Sequence, residues 1–272
     1  MSITSMLATA ASGLRVAQTG LRVVSDNVAN VNTPGYVRKI MDQTSVAQDG
    51  VGQGVDVARI RLAADRFLQA ASLNAAGRGA EAGAVAGALD SAQALFGDPT
   101  GSTSLFDKLD GLFTSLEVAA NDPVAGVPRS DALNAVESFF EDAARIAEGL
   151  RTLRSELDGR LASGVAEVNQ LLADIEALNV EISRATAVGR SASDGENLQA
   201  GLIDKLAKLL DVQVQPRAHG GVTLRTADGV LLAGDGAAVL AYQRGGGGGS
   251  TQAAYADILV TAPGGKPLPL LE

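Results

Sequence analysis

Apolar positions along the first thirty residues repeat with a regular step. Ile3, Leu7, Ala10, Leu14, Ala17, Leu21, Val24, Val28 and Val31 are separated by 4, 3, 4, 3, 4, 3, 4 and 3 residues. That is a heptad seam, and it predicts a helix with one apolar stripe. Ser, Thr, Gln, Arg and Asp fill most of the remaining surface. A single helix with one such stripe is marginal in water, so another helix has to cover it. The cover is either this chain's own core or a helix from elsewhere, and the seam's length and terminal position favour the second. The helix should stop at "SDNVANVNTPGY" (25–36). Proline disfavours helical geometry in the residue before it and has no N–H to donate, while glycine permits positive φ.

Beyond that turn, "DGVGQGVDVARIR" (49–61) reads as a Gly-rich loop followed by a short extended piece. A second helix is expected over 62–95. "GDPTGST" (97–103) is a loop, and Ser104 with Asp107 forms a capping box for a short helix over 105–119. "NDPVAGVP" (121–128) is a further loop. From Asp131 to about Val188 there is no proline, and apolar residues recur at steps of three or four, from Leu133 and Val136 to Leu178 and Ile182. One continuous helix of that length would measure roughly 80 Å at about 1.5 Å per residue. Gly149, Gly159 and Gly164 do not shift its phase.

"SASDGENLQAGLIDKLAKLLDVQVQ" (191–215) predicts a loop and a compact helix, with a capping box from Ser193 to Glu196 and with Leu198, Leu202, Leu206 and Leu209 facing a core. The period then changes to two. Short strands are expected at 212–215, 222–226, 230–234 and 238–244, with "HGG" and "ADG" as turns, and another at 257–263. "GGGGGS" (245–250) is a flexible linker by composition. "LPLLE" completes no obvious element. The expected fold is mainly α with a smaller α+β part. It has an N-terminal heptad helix and turn (1–36), a connecting loop or extended segment (37–61), an elongated helical bundle with one very long helix (62–190), and a β-containing outer domain (191–272).

Composition sharpens this reading. Among 272 residues, 46 % are hydrophobic but only 3 % aromatic, with no Trp, so Ala, Leu and Val must build the interior. Helices pack closely through small side chains. The net charge of −9 argues against a nucleic-acid partner, which would need a broad basic surface. Arg15, Arg22, Arg38 and Lys39 against Asp26 nevertheless give the first forty residues a surplus of three positive charges. With no Cys and one His, disulfides, thiol catalysis and zinc fingers are excluded. No cleavable signal peptide and no apolar run long enough to span a membrane are visible.

Candidate chemistry is sparse. His219 sits in a turn with no second His or Cys to share a metal. "GVGQG" (50–54) lacks the strand, helix and acidic residue of a nucleotide loop and reads as a turn. Glu137 with Glu141, and Glu156 with Asp158, are a solvated helix face rather than an acid–base pair. No serine has a plausible histidine partner. The chain is therefore expected not to be an enzyme and to need no cofactor, catalytic group or metal.

The stretch 25–36, together with "MLATAASGLRVAQTGLRVV" before it, resembles the N-terminal signature of bacterial flagellar axial proteins. These are the rod, hook and hook-associated proteins, and the matching residues are Asn27, Asn30, Asn32, Thr33, Pro34, Gly35 and Tyr36. "GVGQGVDVARIRLAADRFL" (50–68) and the leucine-rich helix and hairpin at 196–235 look like the hook-associated branch. Rod and hook subunits turn quickly to β structure instead. The resemblance implies that the seam residues 3–31 line the core of a tube and are buried by neighbouring subunits. It assigns Asn30, Asn32 and Gly35 to setting the turn and Tyr36 to anchoring it. It implies self-association into a ring, hook protein on one side and the next hook-associated protein on the other, an export chaperone, and export to the extracellular flagellum without a cleavable signal. Members of that family are longer and return a C-terminal helix to the N-terminal one, so this chain is expected to be a fragment or an unusually short relative. The competing readings are a rod or hook subunit and, from another class, a secreted helical coiled-coil adhesin or effector.

Overall fold

The structure, a computed structural model, describes residues 3–33, 35–48, 51–98, 101, 104–243 and 257–270. Pro34 and the Gly-rich run 245–250 lie outside the described residues. The chain is mainly α with a smaller β-containing part, as the periodicities predict. The helices are α1 (Ile3–Ala29), α2 (Arg66–Phe96), α3 (Leu105–Asn121), α4 (Gly126–Ala187) and α5 (Ser193–Ala207). The strands are β1 (Lys39–Gln48), β2 (Val51–Leu62), β3 (Gln213–Pro216), β4 (Val222–Arg225), β5 (Leu231–Ala233), β6 (Val239–Ala241), β7 (Leu259–Thr261) and β8 (Pro267–Pro269).

Two compact units interleave in the sequence. One takes Met1–Ala80, Gly164–Ala241 and Asp257–Glu272, and the other Glu81–Ser163 and Tyr242–Ala256. In the first unit, the core is formed by Leu172, Ile175 and Ile182 of α4, Ile203 and Leu206 of α5, Leu224 and Leu232 of the β3-β4-β5 sheet, and Val260 of the β6-β7-β8 sheet. Every strand pair is antiparallel. In the second unit, Ser104 caps α3 by accepting the Asp107 N–H at 3.0 Å, as its sequence signature predicts. Lys108 of α3 pairs with Asp142 of α4. A Cβ at Gly149 would stand 2.8 Å from Leu95, so this glycine lets α4 approach α2 closely rather than bending it.

Several local expectations change. The segment 49–61 is not a loop with a short extended piece but one side of a long two-stranded ribbon. β1 and β2 pair from Lys39↔Leu62 to Gln48↔Val51. Bulges at Asp42/Gln43 and Val46/Ala47 shift the register and break the alternation that would reveal these strands in the sequence. Gly54, read as part of a turn, lies within β2 at φ 109°. α4 begins at Gly126, inside the expected loop, because Pro128 falls in its first turn, where proline removes no helical hydrogen bond. The Ser193–Glu196 capping box does not form. Ala192 is the N-cap, Ser193 is helical, and its hydroxyl meets that of Ser191.

The buried face of α5 is also rotated from the leucine reading. Leu198 is 65 % and Leu209 43 % exposed, while Gln199, Ile203, Leu206 and Ala207 are buried. The polar Gln199 belongs inside because it donates to Asn179 Oδ1 at 2.9 Å. Finally, the C-terminal segment does complete an element, β8, against β7.

Candidate assembly surface

The seam is placed by what α1 packs against. Its other side lies on the ribbon. Val16 and Val23, themselves seven residues apart, are each only 6 % exposed. Ser12 Oγ accepts the Val55 N–H at 3.1 Å. A Cβ at Gly20 would meet the end of Met41, and one at Gly54 would stand 2.1 Å from Ser12 Oγ. At about 100° per residue, this ribbon-facing side is turned roughly 140° from the seam. Ile3, Leu7, Ala10, Leu14, Ala17, Leu21, Val24, Val28 and Val31 are all exposed, with Ile3 at 83 % and Val31 at 73 %. Thus α1 has two apolar faces. The sequence makes the outer one conspicuous and hides the inner one, which consists of only two valines among small and polar residues.

The signature turn is fixed mainly by Asn27. Its Oδ1 accepts the Lys39 N–H at 2.8 Å and the Tyr36 hydroxyl at 3.0 Å, while its Nδ2 donates to the Lys39 carbonyl at 2.9 Å. Asn30 bonds locally, donating to the Asp26 carbonyl at 3.0 Å and accepting from Thr33 Oγ1 at 3.2 Å. Asn32 is exposed. Gly35 has φ 78°, and a Cβ there would meet Gly201 of α5 at 3.5 Å. Tyr36 is half-buried, its ring lying beside the clamp that its hydroxyl completes.

Three partners of this turn were not singled out in the sequence. Lys39, 6 % exposed, pairs with Asp26 at 3.0 Å and also with Asp194 at the start of α5. Burial draws its ammonium toward neutrality, but hydrogen bonds to Asp194 and Asp26 outweigh that and hold its pKa above the ordinary lysine value. Asn197, one turn further along α5, accepts the Val37 N–H at 2.9 Å and donates to the Val37 carbonyl at 3.1 Å. These contacts join positions about 160 residues apart, and no local spacing announces them. On the ribbon, Arg59 and Arg61 both reach Asp42, at 2.9 and 3.0 Å, and hold its carboxyl below the usual range.

Among the described residues there is no group of three or more His, Cys, Asp or Glu that could hold a metal ion, and no helix is long and apolar enough to cross a membrane. The arrangement offers an uncovered apolar stripe on a helix whose far end is pinned.

Comparison with known proteins gives this surface its class. Residues 7–36, the seam and its turn, match the family model described as flagella basal body rod protein, a class of flagellar structural proteins. A longer match identifies the branch. Residues 89–266 match the flagellar hook-associated protein FlgK helical domain, well over half of the chain, and the chain belongs to the FlgK family. That family is structural, not enzymatic. Flagellar hook-associated protein 1 of Salmonella typhimurium is 28 % identical over 237 residues, covering 85 % of this chain and 42 % of that protein. The protein of the same name from Bacillus subtilis is 28 % identical over 240 residues, covering 83 % and 46 %. The chain thus spans less than half the length of these curated relatives. The flagellar hook junction protein FlgK from Burkholderia pseudomallei shares the fold, with a TM-score of 0.55 at 20 % identity over 73 % of this chain and 34 % of that one.

Proposed function

We propose that this chain is a structural subunit of the bacterial flagellum at the hook–filament junction, and that it assembles by burying the α1 seam among neighbouring subunits. The observation that carries the reading is the exposed stripe from Ile3 to Val31, in a chain whose family is flagellar and hook-associated. Burying a Val, Leu or Ile side chain contributes about 1.5–3 kcal/mol, so the seven such positions of the seam supply a large driving force for association. The partners are further copies of the chain in a ring, the hook protein on one side and the next hook-associated protein on the other. An export chaperone accompanies the chain, which leaves the cell without a cleavable signal and resides in the extracellular flagellum. Residues 1–36 serve as the axial part, 37–61 as the connection, 62–190 as the helical wall and 191–272 as the outward domain.

The rod-or-hook alternative has one observation in its favour, the β ribbon immediately after the signature turn. The 62-residue α4 and the match over 89–266 weigh more heavily for the hook-associated branch. The test uses the full-length protein in cells lacking their own copy. With Leu14→Asp and Leu21→Asp together, secretion should persist while the protein disappears from hook ends. Normal incorporation of that variant would remove the stripe from the mechanism.

A further inference from the structure

The turn that ends α1 is held from outside by α5. On one face, α5 buries Gln199, Ile203, Leu206 and Ala207 in the core. On the other, Asp194 binds Lys39, Asn197 grips both backbone groups of Val37, and Gly201 lies where a Cβ on Gly35 would meet it. At about 100° per residue, positions 194, 197 and 201 share one side of the helix, roughly opposite the core residues. α5 also packs on β2, so the ribbon beneath α1 is seated on the same helix. The side of α1 turned away from the ribbon is the seam.

We infer that Asp194 and Asn197 are positioning residues for assembly: they fasten the 30–39 turn to the folded core and thereby set the direction in which the α1 stripe is presented. The inference rests on the function proposed above and adds to it a requirement remote in sequence from the stripe. It follows that the first sixty residues alone cannot present an aimed seam, because their orientation depends on a helix that begins at residue 193. Association is thereby coupled to completion of the fold.

The 272-residue chain has no cysteine of its own, so an introduced pair meets no competing native thiol. Purified protein is added to cells whose hooks lack the junction protein, and incorporation at hook ends is counted. Amide exchange at Val37 and Lys39 is read in parallel. Asn197→Ala should speed exchange at Val37 on the order of tenfold, as loss of two net hydrogen bonds implies, and should lower incorporation by a similar factor while circular dichroism is unchanged. In a second variant, Val37→Cys with Asn197→Cys, the oxidised form should incorporate like the parent and the reduced form should not. Incorporation of Asn197→Ala at the parent level overturns the inference, as does failure of the oxidised cross-link to restore it. If the parent protein itself never incorporates, the function proposed above fails instead.

Discussion

Asn179 of α4 and Val222 of β4 are joined twice: Asn179 Oδ1 accepts the Val222 N–H at 2.7 Å, and its Nδ2 donates to the Val222 carbonyl at 3.0 Å. The same two-pronged contact recurs from Asn27 to Lys39, from Asn197 to Val37 and from Asn169 to Leu240. A side-chain amide has one donor end and one acceptor end, so it can satisfy both backbone groups of one extended residue, as a neighbouring strand would. Small sheets with few strands leave such groups unpaired at their edges. Here the helices supply the missing pairing, at the first residue of β1 (Lys39), the first residue of β4 (Val222) and the middle of β6 (Leu240).

Asn179 is 1 % exposed and also donates to Glu176, which accepts the Gly234 and Gly236 N–H groups. Asn179→Asp keeps the shape, but it sets a carboxylate against Glu176 and against the Val222 carbonyl. The expected cost is about 3 kcal/mol, read as a fall in denaturant midpoint. An unchanged midpoint would show that this network contributes nothing to the fold.

At the signature turn, Asn27→Leu removes three hydrogen bonds around Lys39 and Tyr36. The Lys39 amide should exchange faster by one to two orders of magnitude, about the value of one or two net hydrogen bonds. Asn32→Ala, at an exposed position, should leave that exchange rate unaltered.

Two glycines are predicted to resist alanine for different reasons. At Gly35, φ of 78° imposes a backbone penalty of roughly 1–2 kcal/mol on any residue with a Cβ, confined to the turn. At Gly54, the added methyl collides with Ser12 and with the backbone of Thr9. Gly54→Ala should therefore lift α1 from the ribbon, seen as exposure of Val16 and Val23 to hydroxyl-radical labelling. Labelling equal to the parent would contradict that packing.

Removing residues 1–35 should leave the helices and strands of 62–240 intact by circular dichroism. α1 contributes only Val16 and Val23 to buried apolar surface, and Leu172, Ile175, Leu206 and Leu232 form their core without it. Loss of that signal would mean that the leading segment nucleates the remainder.

Asp142 provides a pH dependence. Lys108, and then Arg145, hold its carboxyl below the ordinary aspartate value. Its stabilising contribution is therefore complete above the unfolded pKa of about 3.9 and is lost as pH falls through the lower folded value. Asp142→Asn should melt earlier than the parent at pH 6, with the difference shrinking below about pH 4. A difference independent of pH would assign the effect to packing.

The long elements were legible because their signals are local and repeated. The heptad spacing of α1, the uninterrupted phase of α4 and the Ser104 cap each depend on residues a few positions apart. The ribbon escaped notice because two bulges destroy its alternation. The buried face of α5 was misread because Gln199 displaces a leucine from the core, and its reason for doing so, Asn179, lies 20 residues away. Of the turn, Gly35 and Tyr36 were readable from residue type. The fastening through Lys39, Asp194 and Asn197 was not, since it exists only once distant segments meet.

The two apolar sides of α1 carry separate obligations. Val16, Val23 and their small neighbours answer to the ribbon beneath them, whereas the nine outward positions answer to nothing within the described residues. Under the proposed assembly, drift in a neighbouring subunit can be followed by substitution on one side without disturbing the other. A lineage can retune whom it joins while inheriting its internal architecture unaltered.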